Sequence, residues 1–303
     1  MDAIAVDRLS KRYGTVTALD AISLRVHAGE TYGFLGPNGA GKTTAIRSLL
    51  GFIRPTSGNC RIFGHDCWSD GVQARQHLGF LLATDTLYPN MTGHAYLDYA
   101  ARLTQQASTL RTMLLDRLEL DDNALRHKIG SFSKGMKQKL ALTACMQCDP
   151  KLLILDEPTD GLDPLMQRAF EQILEQLHAQ GTTIFMSSHD LGEVERVCQR
   201  VAIVSAGRIV TETAIDELAA RRQRMIEVVF STPAPDWPQS ASERLLERDQ
   251  NRLLISTRGD TLQLLRHLND RDDVIDILIT RPSLEQIFHE FYAKSGDREP
   301  EPH

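Results

Sequence analysis

The residues Gly36-Pro37-Asn38-Gly39-Ala40-Gly41-Lys42-Thr43 follow the pattern G-x-x-x-x-G-K-[ST]. Glycines let the backbone curl so that its N–H groups converge on phosphate oxygens with no Cβ in the way. A helix opening near Lys42 adds its positive N-terminal end, and Thr44 is counted with the loop as the next residue of that turn. Lys42 supplies a point charge for β- and γ-phosphates, and the Thr43 hydroxyl suits Mg²⁺. A second cluster, Asp156-Glu157, ends the apolar run Leu152-Leu153-Ile154-Leu155. Asp156 has the chemistry to hold Mg²⁺ through a water, and Glu157 to polarise a water for attack on the γ-phosphate. Alone, the first motif could be a glycine-rich turn and the second a solvated acidic turn. Together they describe the two halves of a phosphate-transfer site.

Both motifs need a scaffold that brings loop ends together. Glu30 to Leu35 reads as a strand, Gly36 to Gly41 as a loop, and the following helix carries Ile46, Leu49, Leu50 and Ile53 at one-face spacing. Lys151 to Leu155 and Thr182 to Met186 are short apolar runs ending in polar residues, the pattern of central parallel strands buried on both faces. Between them Met166, Phe170, Ile173, Leu174 and Leu177 form a helical stripe stopped by Gly181. Arg200 to Ser205 and Arg208 to Thr211 read as a closing hairpin across Ala206-Gly207. Strands that alternate with helices place these segments in the α/β class. After about Arg224 the pattern changes to strand (Met225 to Phe230), strand (Arg252 to Thr257), helix (Asp260 to Leu268), strand (Val274 to Thr280) and helix (Ser283 to Tyr292), a small α+β domain. The polar, proline-bearing residues 294–303 read as a disordered tail.

Composition narrows the function classes. A net charge of -6 argues against a general nucleic-acid binder, which needs a basic face to displace counterions. The first residues carry an early acid and no apolar core segment, so they do not read as a secretory signal, and no apolar run is long enough to cross a bilayer. An odd count of five cysteines fits reduced thiols. Cys145 and Cys148, with metal half-site spacing on an expected helix, lack a second pair and read as packing residues.

A third segment discriminates among phosphate-binding classes. Phe132-Ser133-Lys134-Gly135-Met136-Lys137-Gln138 shortly precedes the acidic strand, and it resembles the signature of ATP-binding cassette (ABC) ATPases in the form common among drug- and antibiotic-export cassettes. Ser133 is also a good helix N-cap, which would present a hydroxyl and a positive helix end to an anion. Tyr13 matches the family's adenine-stacking aromatic, Asp163 in Gly161-Leu162-Asp163 its D-loop, and His189 after Ser188 its switch histidine. His189 stands beside a capping-box pattern, Asp190-x-x-Glu193.

The resemblance spans residues 3 to 215. It implies a P-loop ABC ATPase domain over 1–220, with a mostly parallel core sheet, an antiparallel N-terminal sheet and a helical subdomain near 88–150. An accessory α+β domain then covers 224–293. It further implies that Ser133 and Gly135 cap the γ-phosphate of ATP held by a second copy in a head-to-tail dimer. Glu157 and His189 would be catalytic, with ATP and Mg²⁺ bound and a separate transmembrane permease as partner. The implied place is cytoplasmic, peripheral on the inner face of the membrane through that permease. A non-transport ABC ATPase or a hydrolysis-weak regulatory cassette is the alternative. One departure stands out: Ala83 falls where the family carries glutamine or glutamate, and alanine cannot ligate Mg²⁺. The ending Ser283-Leu284-Glu285-Gln286-Ile287-Phe288 resembles the close of the export cassettes' accessory domain.

Overall fold

The computed structural model describes residues 1–81, 87–220, 224–237, 243–257, 261–269 and 271–280. Ala83, the Ser283–Tyr292 helix and the tail lie outside the described residues. The chain divides into two compact units, Met1–Ile215 and Asp216–His303.

In the first unit, long strands β1 (Asp2–Tyr13) and β2 (Val16–His27) form an antiparallel pair. They precede β3 (Thr31–Leu35) and helix α1 (Lys42–Leu49). Next come β4 (Ser57–Ile62), β5 (His65–Asp66), α2 (Gly71–Arg75) and β6 (Leu78–Leu81). A helical stretch holds α3 (Gly93–Thr104), α4 (Arg111–Arg117), α5 (Asp122–Arg126) and α6 (Lys134–Met146). The unit continues through β7 (Leu152–Asp156), α7 (Pro164–Ala179), β8 (Thr183–Ser188), α8 (Leu191–Val197), β9 (Arg200–Ser205) and β10 (Arg208–Ala214).

Two sheets result. One is antiparallel, in the order β2-β1-β4-β5. The other runs β10-β9-β3-β8-β7-β6 and is parallel except at the β10–β9 hairpin. The central strands are apolar because both faces are covered: Leu152, Leu153, Ile154, Leu155, Ile184, Phe185 and Met186 are all fully buried. Phe185 lies between Tyr32 and Phe34, with ring centroids 5.8 and 5.6 Å away. The α7 stripe Met166, Phe170, Ile173, Leu174 and Leu177 is buried as its 3.6-residue period requires.

Several boundaries differ from the sequence reading. Helix α1 ends at Leu49, and Ile53 lies beyond it, because Gly51 adopts φ 69° and turns the chain. Helix α6 ends at Met146, so Cys148 is not on the helix of Cys145. Among the described residues no cluster of His, Cys, Asp and Glu could hold a metal by itself. Strand β8 extends two residues past Met186, which matters below.

Helix α9 (Ile215–Ala220) begins at the end of the first unit. The second unit contains β11 (Arg224–Phe230), β12 (Glu243–Asp249), β13 (Arg252–Thr257), α10 (Thr261–Asn269) and β14 (Val274–Thr280), with sheet order β12-β13-β11-β14. Its core comprises Ile226, Val228, Phe230, Ala234, Trp237, Leu253, Ile255, Leu264 and Leu268. Strand β12 was not anticipated, since Glu243-Arg244-Leu245-Leu246-Glu247-Arg248-Asp249 is too polar to show as a strand; it is tolerated at a sheet edge.

Candidate active site

Parallel register brings the chemistry together. Leu35 at the end of β3 pairs with Ser188 of β8, and Asp156 at the end of β7 pairs with Ser187. The loop at 36–41, the acidic pair and His189 therefore leave the same carboxyl edge of adjacent strands, where α/β sheets bind ligands.

The loop is held from behind. A Cβ on Gly36 would sit 2.4 Å from the Val204 carbonyl oxygen, and one on Gly41, at φ 105°, would sit 2.5 Å from that of Ala18. Only glycine fits either position. Pro37, Asn38 and Gly39 are exposed, and Ala40 is buried. No side chain caps α1 at Gly41, whereas Ser133, Asp163 and Asp190 cap α6, α7 and α8. The opening N–H groups of α1 are thus left for an anion, in keeping with phosphate binding.

Lys42 is 6% exposed and donates to the carbonyl oxygens of Gly36 at 2.6 Å and Pro37 at 3.3 Å. It also lies 3.1 Å from Glu157 Oε1. The other Glu157 oxygen is 2.8 Å from His189 Nδ1, so one carboxylate bridges the loop lysine and the histidine. Glu157 sits at φ 48°, a left-handed conformation that a non-glycine residue adopts at a cost of about 1–3 kcal/mol. Its N–H donates to the Ser187 carbonyl at 3.3 Å and the Ser187 hydroxyl at 3.2 Å. That hydroxyl donates to Asp156 Oδ1 at 2.5 Å.

Thr43 is exposed in the first turn of α1, and Asp156 is half-buried at the end of β7. An alcohol and a carboxylate are the hard oxygen donors that Mg²⁺ takes. So small a set suits an ion that shares phosphate oxygens and water rather than an all-protein cage. Half-buried Thr44 accepts from the Ser48 hydroxyl through its carbonyl.

Four expected site residues, Tyr13, Ser133, Gly135 and Asp163, stand apart from this centre. Tyr13, 49% exposed at the end of β1, pairs across the hairpin with Val16, two residues from the Ala18 that abuts Gly41. Lys11 Nζ lies 5.0 Å from its ring centroid. Ser133 accepts from the Met136 N–H at 3.2 Å, the expected cap. Its helix end contacts the turn after Glu157: Lys134 pairs with Asp160 at 2.7 Å, Gln138 donates to the Pro158 carbonyl at 2.6 Å, and Gly135 lies against Gly161. None of the described hydrogen bonds or ion pairs of residues 133–138 reaches residues 36–44. Asp163 caps α7 through the N–H groups of Leu165 and Met166, both at 3.0 Å.

The capping box at Asp190 is only half formed. Asp190 accepts from Gly192 and Glu193, but the Glu193 carboxylate does not return the bond. It accepts instead from the Ser188 hydroxyl at 2.6 Å, and that hydroxyl takes the Asp190 N–H at 2.9 Å. Burial pushes the Glu193 carboxyl up to about 7, against the pull of the Ser188 hydroxyl. Sequence reasoning passed over Ser187, whose only signal was a hydroxyl near the end of an otherwise apolar strand, and it quoted Gln138 in the signature segment without giving it a role.

Comparison with known proteins agrees with this arrangement. The family described as ABC transporter matches residues 19–160. The chain is 33% identical over 299 residues to the daunorubicin resistance ATP-binding protein DrrA3 of Streptomyces coeruleorubidus, spanning 94% of each chain. It is 36% identical over 228 residues to the bacitracin transport ATP-binding protein BcrA of Bacillus licheniformis, covering 74% of this chain and 73% of that one. A solved ATP-binding subunit of an ABC transporter superposes with a TM-score of 0.66 at 30% identity, over 71% of this chain and 91% of that one.

Proposed function

The chain belongs to the ABC transporter ATP-binding proteins, and from that membership we propose that it hydrolyses ATP as one half of a head-to-tail dimer that drives a separate export permease. The observation that carries this reading is the Glu157 carboxylate, held between Lys42 Nζ at 3.1 Å and His189 Nδ1 at 2.8 Å beside the uncapped start of α1.

Each residue then has a task set by its chemistry. Backbone N–H groups of the loop and first helical turn, between Asn38 and Thr44, cradle the phosphates, and Lys42 turns from Glu157 toward the β- and γ-phosphate oxygens. Tyr13 presents a flat apolar ring to adenine. Thr43 and Asp156 would hold Mg²⁺, which when bound neutralises charge on the β- and γ-phosphates. Freed from Lys42, Glu157 accepts a hydrogen bond from the attacking water, and His189 keeps the carboxylate aimed. Exposed Ser133 and half-buried Gly135 form a capped helix N-terminus whose own chain offers it no phosphate, which is the supporting argument for a second copy.

Among the described residues no helix is long and apolar enough to cross a membrane, so a transport role calls for a membrane-spanning partner. The resistance and transport names of DrrA3 and BcrA favour an exported, drug-like cargo. We place the subunit at the cytoplasmic face of the membrane, docked on that permease.

The test is Glu157→Gln with ATP and Mg²⁺, followed by light scattering. Slowed hydrolysis with the phosphate cradle intact should convert the variant to a dimer. A variant that hydrolyses ATP like wild type, or stays monomeric with saturating ATP, contradicts the proposal.

A further inference from the structure

We propose that Ser187 is a positioning residue for hydrolysis: its hydroxyl ties the Asp156 carboxylate to the bent backbone of Glu157, so that the two acids are aimed as one unit. This rests on the function proposed above and adds a residue to it.

Ser187 is fully buried in β8, between β3 and β7, with apolar Met186 before it. A hydroxyl in such a place is costly unless hydrogen-bonded. Here both of its capacities are used on the same neighbouring strand end. It donates to Asp156 Oδ1 at 2.5 Å and accepts from the Glu157 N–H at 3.2 Å.

The second bond matters because Glu157 stands at φ 48°, a conformation that a side chain with Cβ leaves unless its surroundings hold it. That backbone angle sets the direction in which the Glu157 side chain departs toward Lys42 and His189. Without the hydroxyl, the Glu157 N–H keeps only the 3.3 Å bond to the Ser187 carbonyl, and Asp156 Oδ1 loses its short partner. Catalytic groups displaced by a fraction of an ångström lose rate while binding survives. The hydroxyl contributes nothing to the phosphate cradle, so its loss should separate turnover from nucleotide affinity.

The experiment compares Ser187→Ala with Ser187→Thr, which keeps the hydroxyl. The alanine variant should lose kcat by about 10- to 100-fold, the range for a lost hydrogen bond to a charged group. Its affinity for metal-free ATP, measured by calorimetry, should stay within about threefold, because the cradle is untouched. Its affinity for Mg²⁺ in the ADP-loaded state should weaken, a readout independent of turnover. The threonine variant should recover both kcat and Mg²⁺ affinity. Wild-type kcat and Mg²⁺ affinity in the alanine variant, or equal losses in alanine and threonine, overturn the proposal. Should the alanine chain fail to fold, Ser187→Cys, of similar volume but a weak donor, takes its place, and a wild-type kcat there overturns it equally. Glu157→Gln run alongside separates the two claims. If that variant hydrolyses normally the functional reading fails, whereas if it is inactive and Ser187→Ala is normal only the positioning role fails.

Discussion

Glu157 is paired with the lysine to which the proposed function assigns the phosphates. Lys42 is 6% exposed and Glu157 28%, with 3.1 Å between nitrogen and oxygen. Exposed ion pairs contribute about 0.2–1 kcal/mol, and breaking a buried one costs about 3–5 kcal/mol. This half-covered pair falls between those limits, and we take about 1–2 kcal/mol. Incoming phosphates must draw Lys42 from that carboxylate and tolerate its charge nearby. Glu157→Gln keeps the shape and an acceptor oxygen but removes the charge. It should therefore tighten ATP binding by about 5- to 30-fold, the same free energy expressed as a ratio. The assay is calorimetric titration with ATP in excess chelator, so that neither hydrolysis nor metal contributes, at protein concentrations where light scattering shows a monomer. An unchanged or weaker Kd would mean that the Lys42–Glu157 contact does not oppose nucleotide, and the reasoning fails.

Other expectations follow from single features. Glu193 has a carboxyl pushed up to about 7 by burial, against an ordinary 4.5. Between those values the folded chain holds a proton that the unfolded chain has released, so stability falls as pH rises through that window and levels off above it. Glu193→Gln has no such titration and should gain on wild type by about 1–3 kcal/mol between pH 4.5 and 7; a difference in Tm that stays constant from about pH 5 to about pH 8 would contradict this. Phe185→Ala removes the ring between Tyr32 and Phe34 and should cost about 3–5 kcal/mol in urea unfolding; a loss below about 1 kcal/mol would show that the core collapses to fill the gap. A chain ending at Ala220 omits nearly all of the second unit but keeps every phosphate-handling motif, and we expect it to bind ATP; a folded, soluble product that binds none would contradict that division.

The phosphate loop and the acidic pair were legible in the sequence because each is contiguous and its chemistry follows from residue type at fixed spacing. The central strands were legible because burial on both faces leaves an unbroken apolar run. Strand order was not. That Leu35 lies beside Ser188 and Asp156 beside Ser187 is set by pairing between segments far apart in the chain. For the same reason the bridge from Lys42 through Glu157 to His189 has no linear signature. The Asp190-x-x-Glu193 pattern held for Asp190, which caps α8, and failed for Glu193 because a buried serine from the preceding strand takes that carboxylate. Strand β12 escaped because a polar edge strand lacks the alternation that marks half-buried ones.

The central claim is that each hydrolytic site is built from two copies, with the loop of one and the capped signature helix of the other. Mixing two defective chains tests it most directly. Lys42→Ala removes the phosphate contact, and Gly135→Asp sets a negative charge at the helix end meant for the γ-phosphate. Each should be inactive alone. In an equal mixture about half the dimers pair the two chains and carry one intact site, so hydrolysis should return to about a quarter of the wild-type rate. A mixture as inactive as its components would contradict a shared site, as would Gly135→Asp alone hydrolysing ATP at the wild-type rate.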